Sequence, residues 1–221
     1  MGVKSLKFNK ALSVLIICLC LVVFLSSCGE QKLDVATYLA SVKNTSSVTR
    51  IVQTINITDE NKLVSQTIIR VSAEDGKVES EVYNKSLTND LTSASDYEES
   101  TEIVYFYNNN KYSFNGTEWV SEQGEYVSSL QVVDIKSADL ENVKYNKSIK
   151  STNTLTANIK NESLKSIFGQ DFTGKNCSIE LIINQKKKVL ELNINYLTST
   201  NKNVEITTSY SYEYVQVILP L

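Results

Sequence analysis

The 221-residue sequence contains no histidine, one proline, seven glycines and four cysteines. Without histidine, the chain cannot activate a serine or cysteine nucleophile through imidazole, and it cannot build a zinc site on histidine ligands. Glycine and proline are too scarce for a flexible hinge, which favours a single domain. With 42% hydrophobic residues, 21% charged residues and a formal net charge of -3, the composition is typical of a globular chain and not of a disordered one.

The first 30 residues have the pattern of an export signal. Three lysines precede an apolar run interrupted only by Ser13: Lys4, Lys7 and Lys10, then Ala11 to Leu25. The run is shorter than the roughly 20 apolar residues that a bilayer-spanning helix needs. A basic start, a short apolar core and small residues at its end are typical of a secretory signal.

The end of this run, Leu25-Ser26-Ser27-Cys28 followed by Gly29, resembles the lipobox of bacterial lipoproteins. The resemblance implies a diacylglyceryl thioether on Cys28, cleavage between Ser27 and Cys28, and acylation, for example by palmitate, of the new amino group. An uncleaved N-terminal anchor with Cys28 as a bystander is the alternative. Acyl chains gain ~0.8 kcal/mol per buried methylene, so two or three of them hold a protein on a membrane for long times. We therefore expect a signal peptide at 1–27, a lipidated tether at 28–32 and one domain at 33–221.

Cleavage would leave Cys177 as the only free thiol, because Cys18 and Cys20 leave with the signal and Cys28 carries the lipid. A single thiol cannot form an intrachain disulfide, so the exported domain depends on its core alone. We expect Cys177 to be a small, partly buried apolar residue and not a nucleophile, since no histidine can activate it.

Hydrophobic periodicity predicts one helix near 33–44, a helix-like patch from Tyr126 to Val143, and a short helix from Asn161 to Phe168 that ends at Gly169. Between them the apolar residues alternate, which predicts strands. Turn signals separate the strands at Asp59-Glu60-Asn61, Asp75-Gly76, Asn108-Asn109-Asn110 and Asn115-Gly116. Residues 84–100 break the alternation, and we expect them to form a long exposed loop or a frayed edge.

The last third alternates most clearly. Leu192, Ile194 and Tyr196 oppose Asn193 and Asn195, so the strand has one apolar and one polar face. That pattern indicates an antiparallel sheet covered on one side. Two or three helices beside about ten strands cannot close a parallel fold, but they can lie on one face of a curved sheet. The expected class is therefore α+β, a curved antiparallel half-barrel with helices covering one face.

Charge is unevenly distributed. Residues 74–102 hold nine acids against two lysines, whereas residues 143–188 hold nine lysines against three acids. The run Lys186-Lys187-Lys188 is either a basic patch for anionic lipid headgroups or wall polymers, or a solvated hairpin turn. Nucleic acid is not expected, because no glycine-rich or RNP-like motif accompanies the lysines.

The sequence offers only weak candidates for catalytic residues. Glu98, Glu99 and Glu102 are either paired carboxylates for acid/base or Ca²⁺ chemistry, or a solvated edge. The chain lacks GxSxG, CxxC and Walker-type motifs. We expect no enzyme activity, no catalytic or metal-binding residues and no cofactor. An aromatic cluster indicates either cross-strand packing or the wall of an apolar pocket; it comprises Tyr105, Phe106, Tyr107, Tyr112, Phe114 and Trp119.

The order of elements, the aromatic–Asn-Gly–Trp hairpin at 111–119 and the Tyr-rich final strand ending at Pro220 resemble the LolA/LolB/LppX-like half-barrel lipoproteins. The resemblance implies an apolar cavity for acyl chains, and hence a lipid- or lipopeptide-binding protein on the extracytoplasmic face of the cell membrane. It assigns no ligand-contacting residue in this chain. The alternative is an envelope protein with a fully packed core that binds another protein.

Overall fold

The computed structural model describes residues 34–44, 47–88, 97–128, 130, 134–147 and 152–220. This part of the chain contains eleven strands and two short helices. The strands form one antiparallel sheet, curved and unclosed. They are β1 (Arg50–Asp59), β2 (Lys62–Glu74), β3 (Lys77–Leu87), β4 (Tyr97–Tyr107), β5 (Asn110–Phe114), β6 (Trp119–Gln123), β7 (Leu140–Lys147), β8 (Thr152–Ile159), β9 (Lys175–Asn184), β10 (Val189–Leu197) and β11 (Asn203–Ser211). The helices are α1 (Val35–Lys43) and α2 (Leu164–Phe168), and 3-10 turns precede β7 and α2 at Ser137–Asp139 and Asn161–Ser163.

The sheet consists of two meanders joined in the middle. Its strand order is β6-β5-β4-β3-β2-β1-β11-β10-β9-β8-β7, so β1 and β11 pair at the centre and β6 and β7 form the edges. The turns after β1, β2 and β4 place both central residues at positive φ, for example 47° at Asp75 and 78° at Gly76. Such turns match the twist of the strands that they join, which explains why these dipeptides end the strands.

One face of the sheet, here called the core face, collects the apolar side chains. In the pairing registers, Leu155, Leu181 and Leu192 lie side by side, and Ile194, Ile206 and Ile55 form the next row. The opposite side, the outer face, carries mostly polar residues. Helix α1 lies on the core face over β9 and β10, and its residue Tyr38 is buried.

The two halves of the core face differ in how well they are covered. On β8–β11 the apolar side chains are buried, among them Leu155 and Leu181 at 0% exposure. On β1–β4 several core-face residues are only half-buried, including Ile51, Ile55 and Val82. The same sheet therefore has a closed half and a partly open half.

Three expectations are corrected by these elements. The class is mainly β and not α+β, because the two helices have nine and five residues beside eleven strands. The helix-like patch at Tyr126–Val143 is wrong at its end, since Leu140 and Val143 lie in β7, whereas residues 129 and 131–133 lie outside the described part. The loop at 84–100 is wrong at both ends, because Asn84–Leu87 continue β3 and Tyr97–Ser100 begin β4, whereas residues 89–96 lie outside the described part.

Other expectations are confirmed. The first helix covers Val35–Lys43, and the short helix ends at Gly169, whose φ is 105°. The predicted hairpin turns all join antiparallel neighbours. None of the helices in the described residues is long and apolar enough to cross a bilayer.

Candidate functional site

Beneath α1 the core is closed. The space between the helix and strands β9 and β10 is a cavity of about 20 Å³, lined mainly by Leu39, Val42, Ile135, Ile179, Leu181 and Leu192. A volume of ~10–15 Å³ is the least that holds one water molecule. The lining is apolar, so the cavity offers neither hydrogen bonds to water nor room for an acyl chain.

A larger cavity, here called the β3–β5 cavity, lies on the open half of the core face. Its volume is about 170 Å³, and its apolar walls are Val82, Val104, Phe106 and Val127. The registers create it, because Val82 pairs with Glu102 and Ser80 with Val104, placing all four side chains on the core face. An apolar cavity of about 150 Å³ is known to bind benzene. By volume the β3–β5 cavity can therefore hold a segment of a hydrocarbon chain, but it is open to solvent beside Val127, which is 80% exposed.

Polar groups border this cavity. Glu102 and Lys111 line it, and the ammonium of Lys111 lies 3.2 Å from a carboxylate oxygen of Glu122. The ring of Tyr126 packs edge-on against Phe106 at 5.4 Å, and its hydroxyl is buried without a hydrogen-bond partner among the described residues. A buried hydroxyl without a partner is costly, but Tyr126 does not line the β3–β5 cavity, and its hydroxyl is closed off from a ligand there.

The predicted aromatic cluster divides between the two faces. Phe106 lies on the core face and lines the β3–β5 cavity. The other members share the outer face, where Trp119 packs on Tyr105 at 5.4 Å and on Phe114 at 5.8 Å between ring centroids. Both interpretations of the cluster thus describe part of it. Phe114 and Trp119 remain 53% and 37% exposed, which leaves an apolar patch on the outer face.

The predicted acidic residues do not converge. Glu99 lies on the outer face, where hydrogen bonds from Lys85 and Tyr83 hold the pKa of its carboxyl below the usual value. Glu98 and Glu102 occupy the other face of the same strand, four residues apart. In the described part of the chain, no three acidic or cysteine side chains come together in a way that could hold a metal ion.

The lysine run forms the turn between β9 and β10. Lys187 adopts a φ of 58°, and the Asn184 side chain accepts hydrogen bonds from the backbone of Lys186 and Lys188. The Lys188 ammonium donates to the Ser47 hydroxyl at 3.0 Å and lies 4.4 Å from the ring centroid of Tyr212. The run therefore forms a structured hairpin turn, on which Lys186 and Lys187 remain exposed.

Cys177 is a core residue, as expected. Its side chain is 1% exposed, and burial raises the pKa of the thiol to about 12. A neutral, buried thiol is a poor nucleophile.

Sequence reasoning missed the residues that shape the β3–β5 cavity, notably Ser80, Val82 and Val127. The alternating pattern predicts that Ser80 and Val82 share one face of the sheet, but it does not predict the cavity beside them. It also missed a polar groove of about 360 Å³ on the outer face of β7–β10, lined by Asn158, Glu180 and Asn195 among others. The expected lipidation site, Cys28, and the preceding Ser27 lie outside the described residues.

No protein-family model and no curated protein matches the sequence. Two solved mycobacterial structures are similar to the chain. LprF from Mycobacterium bovis has 15% identity and a TM-score of 0.46, with 84% of this chain and 95% of LprF covered. The lipoprotein LppX from Mycobacterium tuberculosis has 13% identity and a TM-score of 0.43, with 84% of this chain and 100% of LppX covered. Neither similarity is close enough to carry over a ligand.

Proposed function

We propose that the protein is a membrane-anchored extracytoplasmic lipoprotein that binds an acyl chain of a lipid or lipopeptide in the β3–β5 cavity. It acts as a binding protein and not as an enzyme. The observation that carries the proposal is the cavity of about 170 Å³ on the partly open half of the core face. An acyl chain would cover apolar residues of the open half, as α1 covers those of β9 and β10.

Binding of this kind depends on burial and little on directional contacts. Each Å² of apolar surface removed from water contributes about 25 cal/mol, so burying about 200 Å² contributes roughly 5 kcal/mol before the cost of association. Lys111 lines the cavity, where its ammonium can hydrogen-bond to a polar headgroup. The expected ligand is therefore amphipathic.

Membrane attachment is supported by the lipobox at Leu25–Cys28. The test is the intact mass of protein extracted from membranes. We expect a chain that begins at Cys28 and carries the mass of two or three acyl groups, and Cys28→Ala should abolish both the cleavage and the added mass. An unprocessed chain that retains residues 1–27 would contradict the proposed attachment.

Ligand binding is tested by titrating a fluorescent fatty acid into delipidated protein. Val82→Phe should fill the β3–β5 cavity and weaken binding at least about tenfold, because the ring occupies the space of the chain. Ile103→Phe is the matched control, since Ile103 lies on the outer face of the neighbouring strand. Equal binding by the two variants, or no binding by the unmodified chain, would refute the proposal.

A second candidate function is supported by a separate observation. The core beneath α1 is packed, and Trp119 and Phe114 are exposed on the outer face. Exposed aromatic residues are common at protein interfaces, so the chain could bind another envelope protein instead. This candidate predicts no fatty-acid uptake, which separates it from the first.

A further inference from the structure

The two edges of the sheet are protected unequally. At the β7 edge the register breaks between Glu141 and Lys144, Asn142 adopts a φ of 54°, and Lys144 is exposed. A bulge and an exposed lysine are the devices by which proteins prevent another strand from pairing with an edge. At the β6 edge the pairing with β5 is regular and β6 contains no lysine or proline, so its protection is limited to its short length of five residues and to Glu122 on its inner face.

Among the described residues, no strand pairs with the backbone of β6 on the side away from β5. Two backbone hydrogen bonds of 3.0 Å join the ends of β5 and β6, from Asn115 N to Glu118 O and from Gly124 N to Asn109 O. They show which residues of β6 direct their N–H and C=O groups toward β5. In an antiparallel ladder, alternate residues turn their N–H and C=O groups toward the partner strand. The groups of Trp119, Ser121 and Gln123 therefore face away from β5, at the terminal strand of the sheet.

Side chains beside this edge specify what could pair with it. Trp119, Ser121 and Gln123 lie on the outer face, whereas Glu118, Val120 and Glu122 share the other side. Residues 118–125 hold three glutamates and no basic residue. A strand added here would have apolar side chains next to Trp119 on one face and a positive charge next to Glu118 on the other, where Glu122 already pairs with the ammonium of Lys111 at 3.2 Å.

We propose that the β6 edge binds an extended segment of another polypeptide, with alternating apolar and basic residues, by strand addition to the sheet. Main-chain hydrogen bonds to Trp119, Ser121 and Gln123 supply the pairing, and the side chains select the sequence. A second copy of this chain is a poor occupant, because antiparallel β6–β6 pairing would place glutamates of both copies on the same face. The proposal does not depend on acyl-chain binding.

The test uses the full-length protein in detergent and a seven-residue peptide that alternates valine and lysine. Amide hydrogen exchange read by NMR should slow at least about tenfold at Trp119, Ser121 and Gln123 when the peptide binds. The amides of Val120 and Glu122 already pair with β5 and serve as internal controls. A peptide with glutamate in place of lysine should bind at least about tenfold more weakly.

A pair of variants separates the backbone from the side chain. Ser121→Pro removes the outward N–H while proline remains tolerated on an edge strand, and it should weaken peptide binding at least about tenfold. Ser121→Ala keeps the N–H and should change binding less than about threefold. Slow exchange at Val120 in Ser121→Pro shows that β6 still pairs with β5. Peptide binding without protection of the three amides, equal binding of both peptides, or protection of the same amides by dimerisation of the chain would overturn the proposal.

Discussion

The unequal packing of the two halves of the core face can be measured with one pair of substitutions. Ile194 of β10 and Ile55 of β1 lie on the same face and in the same cross-strand row, separated by Ile206. Ile194 is 2% exposed, whereas Ile55 is half-buried. Truncating a buried isoleucine to alanine costs 2–5 kcal/mol, from lost burial plus the cavity that remains. We expect Ile194→Ala to cost about 3–4 kcal/mol.

Ile55→Ala should cost only about 1–2 kcal/mol, because less apolar surface is lost and the space left behind is nearer to solvent. The assay is urea unfolding monitored by tryptophan fluorescence, with the free energy of unfolding taken from midpoint and slope. Both variants must keep the slope of the parent chain for the comparison to hold. Equal costs at the two positions would refute the distinction between a closed and an open half.

Three further predictions follow from single contacts. Cys177, with a thiol pKa of about 12, should resist alkylation at pH 8 in the folded chain and react at once in 6 M guanidinium. Glu74 accepts a hydrogen bond from the Tyr214 hydroxyl and one from the Val217 backbone at 2.8 Å, and these lower its pKa. The stabilising contacts should therefore be intact above the ordinary glutamate pKa and be lost as the pH falls through the lowered value, so the Val217 amide shift should titrate with a midpoint below 4.5. Gly174→Ala should cost about 1–3 kcal/mol in urea unfolding, because its new Cβ would lie 2.3 Å from the Phe172 ring.

Local chemistry made much of the sheet predictable. The Asp75-Gly76 turn and the alternation of Thr67, Ile69 and Val71 depend on neighbours close in sequence, and both occur as expected. The C-terminal strands were clearest because their core face is fully covered and their outer face is solvated. In these strands the period-two pattern is interrupted only locally, for example between Val189 and Glu191 of β10.

The failures have specific causes. The bulge at Asn142 inserts a residue into β7 and interrupts the alternation of the strand. Leu140 and Val143 are therefore three residues apart, which is the spacing typical of a helix. The arms of the β3–β4 hairpin read as a loop because polar pairs such as Lys85 with Glu99, 2.8 Å apart, stabilise them instead of apolar contacts. The β3–β5 cavity depends on the register of three strands and on Val127, which a one-dimensional pattern does not contain.

A spin-labelled fatty acid would locate the acyl chain that we propose for the β3–β5 cavity. With a nitroxide near the end of the chain, paramagnetic broadening should remove the methyl signals of Val82 and Val104 and spare those of Leu181 and Leu192 beneath α1. Broadening of the leucine methyls instead, or of neither set, would contradict the account.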